Sequence, residues 1–273
     1  MSEDIKATLK QLSDMGFDGV ELAGQFGEFA DDPEGFKAYL DSVGLEISAA
    51  HVGFDQFTDE RFDDTVAFYD TLGVDKLIIP ADGRAWSDDG IQEISQDLTE
   101  LSKRLAPYGM QVGYHNHHSE FDSYQGTTYW EYMAEHTPDT VLLQPDLAWI
   151  YFAGKEPLTY IKRYQDRIKT AHFKGQVTRY SEVKDQVNAA NVQSWGEEMG
   201  IVFQYNQAQA NSGAKQVPII GRDAVDWEAI IEQFNQSEEP VWFVVEQEIY
   251  PNDIPPMEAV EQSLRGLQSL LQQ

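Results

Sequence analysis

The sequence predicts an α/β fold of repeated βα units around a parallel sheet, and three observations predict it. Short β-branched runs alternate with amphipathic helical stretches along the chain. Helix-end signals fall between them: Asp32 and Pro33 form an N-cap and first-turn pair, while Gly16, Gly44, Gly73 and Gly109 sit where helices should stop. Histidines and carboxylates gather at the C-terminal ends of the short runs, where a parallel barrel builds its sites.

Taken in order, seven strands are expected, at Gly19–Leu22, Glu46–Val52, Lys76–Pro80, Gln111–His115, Val141–Asp146, Ile168–Lys174 and Val241–Glu248. Helices are expected over Ile5–Met15, Pro33–Val43, Asp59–Leu72, Ile91–Leu105, Thr128–His136, Pro157–Tyr164, Trp227–Phe234 and Met257–Leu271. No Gly/Ser-rich linker or abrupt composition shift divides the chain, so residues 1–273 read as a single domain. Residues 176–217 stand apart: rich in Gln, Asn and Ser, they are too long for an ordinary connection. They read as an inserted loop region with a short helix, lying over the strand ends.

The 273 residues, 41% of them hydrophobic, suffice for a substantial core. No apolar run approaches the roughly 20 residues that a spanning helix needs, and no basic region followed by an apolar core opens the chain. A cytoplasmic protein with no membrane partner is therefore expected. The absence of cysteine excludes disulfides, thiolate metal sites and cysteine nucleophiles, so any metal must be held by oxygen and imidazole. Formal charge is −28, with 47 acidic side chains against 19 basic ones. The acids are scattered and no Lys/Arg stripe is present, so nucleic acid is not an expected partner.

Of the six histidines, His51, His115, His117 and His172 lie at or just past a predicted strand end, as do Glu21, Asp146, Glu246 and Glu248. Only His118 and His136 fall elsewhere. Side chains two apart share a strand face, which groups Gln144 with Asp146, Thr170 with His172 and Lys174, and Glu246 with Glu248. Polar groups inside a barrel are costly unless they bind something or one another, so three strands carrying them at one end imply a common ligand. Singly, each residue is more often a helix N-cap, a salt-bridge partner or a satisfied packing histidine. Jointly, an Asp, a His and a Glu form a mixed oxygen and imidazole set suited to one divalent ion, with manganese, magnesium, zinc and iron not distinguished.

Gly113-Tyr114-His115-Asn116-His117, Glu120-Phe121, Gln144-Pro145-Asp146, His172-Phe173-Lys174, Asp226-Trp227 and Val245-Glu246-Gln247-Glu248 resemble, in order and over nearly the whole chain, the signatures of the xylose-isomerase-like sugar phosphate isomerase/epimerase family. The resemblance implies a (β/α)8 TIM barrel with one divalent metal held by Asp146, His172 and Glu246. His115 stands where ketose epimerases of the family carry a glutamate, and is read either as a fourth ligand or as the base. Glu246 and Lys174 complete the expected catalytic set, Lys174 as donor to a developing oxyanion. His51, His117, Glu120, Trp149 and Glu248 are expected to bind substrate. No glycine-rich phosphate cradle is visible, so the expected partner is an unphosphorylated small sugar or polyol. Trp149, Tyr151, Phe152, Trp86 and Phe54, in or near strand-end loops, offer ring faces to it.

The chemistry implied is proton abstraction next to a carbonyl through an enediolate, with the dication as Lewis acid. Reprotonation then gives isomerisation or epimerisation, and loss of a β-substituent gives dehydration or cleavage of a keto-glycoside. Two other classes compete: an abasic-site nuclease, which the net charge disfavours, and a catalytically silent sugar-binding or partner-binding barrel. Counting adds an anomaly, because a closed barrel needs eight strands and the pattern supplies seven, the chain opening directly on the helix at Ile5. A first strand is expected upstream, in a segment with room for a secretion signal; the alternative is an open barrel whose gap is covered by packing, its unpaired edge being a template for another chain, as in a homo-oligomer.

Overall fold

The computed structural model describes residues 4–272. In chain order the helices and strands are α1 (Ile5–Met15), β1 (Gly19–Leu22), α2 (Pro33–Val43), β2 (Glu46–His51), α3 (Phe62–Leu72), β3 (Lys76–Ile79), α4 (Ile91–Leu105), β4 (Gln111–His115), β5 (Ser123–Tyr124), β6 (Thr127–Thr128), α5 (Tyr129–Glu135) and β7 (Leu142–Gln144). There follow α6 (Leu147–Phe152), α7 (Pro157–Tyr164), β8 (Thr170–Phe173), α8 (Tyr180–Ala190), α9 (Trp195–Ala210), α10 (Trp227–Phe234), β9 (Trp242–Val245) and α11 (Pro256–Leu271). They form two units, one made of the residues up to His115 with Glu131–Gln144, the other of Asn116–Trp130 with the residues from Pro145 onward.

In the first unit five parallel strands pair in the order β1-β2-β3-β4-β7. Its helix ends follow the chemistry read from the sequence. Asp32 caps α2 by accepting from Gly35 N at 2.9 Å, Pro33 opens its first turn, and Gly44 closes it at φ 74°, a left-handed conformation that only glycine adopts cheaply. Gly113 in β4 has a different role: a Cβ there would lie 2.6 Å from Ile78 Cδ1 and 2.9 Å from Leu142 Cβ. The two neighbouring strands therefore pack their side chains over bare backbone. Ile78, Leu142 and Ala49 form a buried cluster at this point.

In the second unit β8 and β9 pair in parallel, Thr170 opposite Trp242 and Phe173 opposite Val245, and an isolated parallel bridge joins Asp146 to His172. Phe173 is fully buried, stacked on Trp227 at 4.9 Å and packed on Phe243 at 4.5 Å. Trp149 and Phe152 of α6 pack with Val183 and Val187 of α8 and with Met199 and Val202 of α9. Each such side chain stabilises its docking by roughly 1.5–3 kcal/mol, which holds the two inserted helices down.

All seven parallel strands expected from the pattern are present, β1 and β4 with the expected bounds and the other five shorter. β9 stops at Val245, so Glu246 to Glu248 lie beyond the strand. α3 begins at Phe62, three residues after the expected Asp59. Residues 176–217 carry two helices, α8 and α9, where one short helix is expected, and α6 and the β5–β6 hairpin are additional.

Candidate functional site

The first unit places four polar side chains together at its strand ends. Gln144 is the hub: its Oε1 lies 2.8 Å from His51 Nε2 and 3.0 Å from His115 Nδ1, and its Nε2 donates to Glu21 Oε2 at 2.8 Å. His51 Nε2 also lies 3.0 Å from Glu21 Oε1. Because an amide oxygen only accepts, both imidazoles present N–H to it, which puts the lone pair of neutral His115 on Nε2. The register that sets His115 opposite Gln144 across β4 and β7 makes this contact. Gln144 is absent from the residues singled out as a site in the sequence, although its shared face with Asp146 was the available signal.

The second unit brings together Asp146, His172, Lys174, Glu246 and Glu248. One ligand atom each from Asp146, His172 and Glu246 lies within 4.8 Å of the others. Asp146 is fully buried and caps α6, its Oδ1 accepting from Trp149 N at 2.8 Å while Oδ2 lies 3.0 Å from Lys174 Nζ. Asn116 grips its backbone on both sides, Oδ1 accepting from Asp146 N at 3.1 Å and Nδ2 donating to Asp146 O at 3.3 Å. His172 Nδ1 lies 3.0 Å from Glu246 Oε2. Lys174 Nζ also reaches Glu246 Oε2 at 2.9 Å and donates to Glu248.

Burial alone would lower the Lys174 pKa, but the charges of Asp146, Glu246 and Glu248 outweigh it and hold the ammonium well above its ordinary range. Burial raises the Asp146 carboxyl, with Lys174 opposing. Burial likewise pushes Glu248 up to about 7 against the same ammonium. Three carboxylates thus share one ammonium in a largely desolvated place. That excess of negative charge, with an imidazole beside it, is a donor set that a hard or borderline dication fits.

The remaining expected residues surround this set less directly. Glu120 is fully buried and accepts from His117 N at 3.0 Å, tying its own turn. The His117 ring lies 5.8 Å from Trp149 and 5.0 Å from Trp195. Trp149 is 2% exposed, with Lys174 Nζ 5.0 Å from its ring centre and its Nε1 lacking a hydrogen-bond partner among the described residues. His118, set aside in the sequence, is buried with Nε2 3.3 Å from Glu198 Oε1, and Tyr180 donates to the same oxygen at 2.6 Å. Its partners lie some 60 to 80 residues later, so no local signal could have revealed them.

The sequence model of the xylose isomerase-like TIM barrel family matches residues 9–270, and the chain belongs to that family. It is 26% identical over 276 residues to the inosose dehydratase of Lacticaseibacillus casei, across 92% of this chain and 84% of that protein. In fold it is similar to a sugar phosphate isomerase/epimerase from Parabacteroides distasonis ATCC 8503, with a TM-score of 0.70 at 20% identity over 96% of this chain and 90% of that one. The IOLI protein with a binding zinc atom gives a TM-score of 0.63 at 15% identity over 98% and 93%. Among the described residues, no helix is long and apolar enough to cross a membrane.

Proposed function

We propose that the chain is a divalent-metal-dependent enzyme that removes the proton next to a carbonyl in a sugar or polyol-derived ketone, with Asp146, His172 and Glu246 holding the ion. The observation that carries this reading is the trio of ligand atoms within 4.8 Å of one another, two on buried residues and one on half-buried Glu246, among carboxylates that outnumber their one ammonium. Zinc in the IOLI protein, which shares the fold, supports it. When bound, a divalent ion supplies Lewis-acid polarisation of a carbonyl and an adjacent hydroxyl.

The side chains divide the remaining work. Glu248, pushed up to about 7 by burial, is matched to accepting a proton at neutral pH. Lys174 donates to the oxygen on which charge develops. His115, with its lone pair on Nε2, is carried forward as a further ligand or as the base. His51, His117 and Glu120 are assigned to substrate hydroxyls, and Trp149 to a contact through Nε1. Return of the proton to carbon gives isomerisation or epimerisation.

The similarity to inosose dehydratases favours a second reading, dehydration. Glu248 would then take the α-proton while Lys174 protonates the departing β-hydroxyl, which leaves as water. Elemental analysis of the purified protein, with solvent deuterium incorporation and product mass over a panel of ketoses and inososes, tests both. One equivalent of metal is expected, activity is lost on chelation, and His172→Ala and Glu246→Ala abolish metal binding. Full activity in a metal-free protein would sink the proposal; loss of 18 Da in the product, the mass of one water, selects dehydration.

A further inference from the structure

We propose that Glu21 is a positioning residue that acts on His115 by way of Gln144, fixing which ring nitrogen of His115 is left as the acceptor; this rests on the reading of His115 as a ligand or base. Glu21 lies near the end of β1, where the ladder to β2 slips by one residue: Val20 pairs with Ile47 but Glu21 pairs with Ala49. A bulge of this kind re-aims a side chain. The Glu21 side chain is 6% exposed, and a carboxylate so placed is costly unless it is hydrogen-bonded. Both of its oxygens are used, Oε1 by His51 Nε2 at 3.0 Å and Oε2 by Gln144 Nε2 at 2.8 Å.

The polarity of the network follows from that carboxylate. An ionised carboxylate only accepts, so the Gln144 amide turns its NH2 toward Glu21 and its carbonyl oxygen toward the two imidazoles. That oxygen also only accepts. His115, 3.0 Å away through Nδ1, therefore carries its proton there, and the neutral ring keeps its lone pair on Nε2. Reversing the amide fails twice. Its oxygen would meet Glu21 Oε2 at 2.8 Å, acceptor against acceptor, and His51 Nε2 would have to donate to Glu21 Oε1 while accepting from the amide nitrogen. A glutamine at position 21 has no consistent arrangement either, because it offers one acceptor and one donor where the carboxylate offers two acceptors. The tautomer of His115 on β4 is thus chosen on β1, three strands along the sheet. A hydrogen bond on one ring nitrogen is what commits the other to a ligand or base role.

The test is nitrogen NMR of the full chain, isotopically labelled at the histidine ring nitrogens, in chelator at about pH 8, where free imidazole is neutral. His115 is assigned by its loss in His115→Asn. His136, whose Nδ1 lies 2.8 Å from the Tyr132 carbonyl oxygen, is the internal standard for a ring protonated at Nδ1. In the parent, His115 is expected to match that standard. In Glu21→Gln, and in Glu21→Leu, which offers neither donor nor acceptor, the ratio of the two His115 tautomers should fall by about tenfold or more, the worth of one hydrogen bond to a charged group, with His136 unmoved. A parent His115 protonated at Nε2 overturns the assignment without any variant, and so does a parent-like ratio in either variant. Zinc uptake by the same samples separates the two readings: a parent that binds no zinc, but whose His115 tautomer is lost in Glu21→Gln, refutes the metal site and supports the role of Glu21.

Discussion

Replacing Lys174 with methionine keeps most of the side-chain volume and removes a single buried charge. The ammonium lies 3.0 Å from Asp146 Oδ2 and 2.9 Å from Glu246 Oε2, and it also donates to Glu248. At an effective dielectric constant of about 20, one pair of unit charges at about 4 Å attracts by about 4 kcal/mol, before desolvation is subtracted. Removing one partner of a buried pair costs about 3–5 kcal/mol, because the other charge is left uncompensated. Here three carboxylates lose the same cation, so the upper end applies. In chelator, with a urea dependence of about 3 kcal/mol per molar, K174M should unfold about 1.5 M earlier than the parent. Added manganese or zinc then enters carboxylates freed of their ammonium, and should stabilise the variant more than the parent, by about 4 kcal/mol at a thousandfold excess over Kd. Equal midpoints in chelator would refute the charge argument. An equal metal increment in both proteins would refute the shared site.

Gln144→Leu removes the hub that serves His51, His115 and Glu21, taking an acceptor from two imidazoles and a donor from a carboxylate; a loss of about 2–3 kcal/mol in urea unfolding is expected. Asp223 supplies a pH dependence, since burial pushes its carboxyl from 3.8 up to about 7 even though it accepts from Gln176 N at 2.9 Å and Trp227 Nε1 at 2.8 Å. The folded state holds this proton more tightly than the unfolded one, so its contribution is complete below about pH 4 and is lost as pH rises to about 7. At about 1.4 kcal/mol per pH unit the span is at most about 4 kcal/mol. Unfolding free energies of the parent and Asp223→Asn, compared from pH 4 to 7, should show the steeper decline in the parent.

What the sequence made legible follows from where its signals were local. The parallel strands could be read because each is a short apolar run bounded by turn residues, and α2 because Asp32, Pro33 and Gly44 mark both ends. Asp146, His172 and Lys174 could be read because period-two alternation fixes their face. α6 could not: Leu147-Ala148-Trp149-Ile150-Tyr151-Phe152 is apolar nearly all round, so no polar face betrays its helical period. α8 and α9 failed for the opposite reason. Their buried residues Val183 and Val187, and Met199, Val202, Asn206 and Ala210, recur every three or four positions, but surrounding Gln, Asn and Glu residues made the segment resemble a loop. The contact of His118 with Glu198 and Tyr180 depends on that unread packing.

Asp146 shows why structural and functional readings of a strand-end carboxylate need not compete. In the sequence an N-cap and a metal ligand are alternatives; in the fold one oxygen caps α6 and the other faces Lys174. The cap restrains rotation of the carboxylate, and Asn116 restrains its backbone from both sides. A group held in this way reaches an incoming cation with little conformational entropy left to lose. The buried helix that hid from sequence patterning is thus the element that orients the carboxylate most readily found in it. Through Trp149 and Phe152, the same helix packs against the inserted pair α8 and α9. The Asp146 carboxylate and the inserted helices therefore share one packed support.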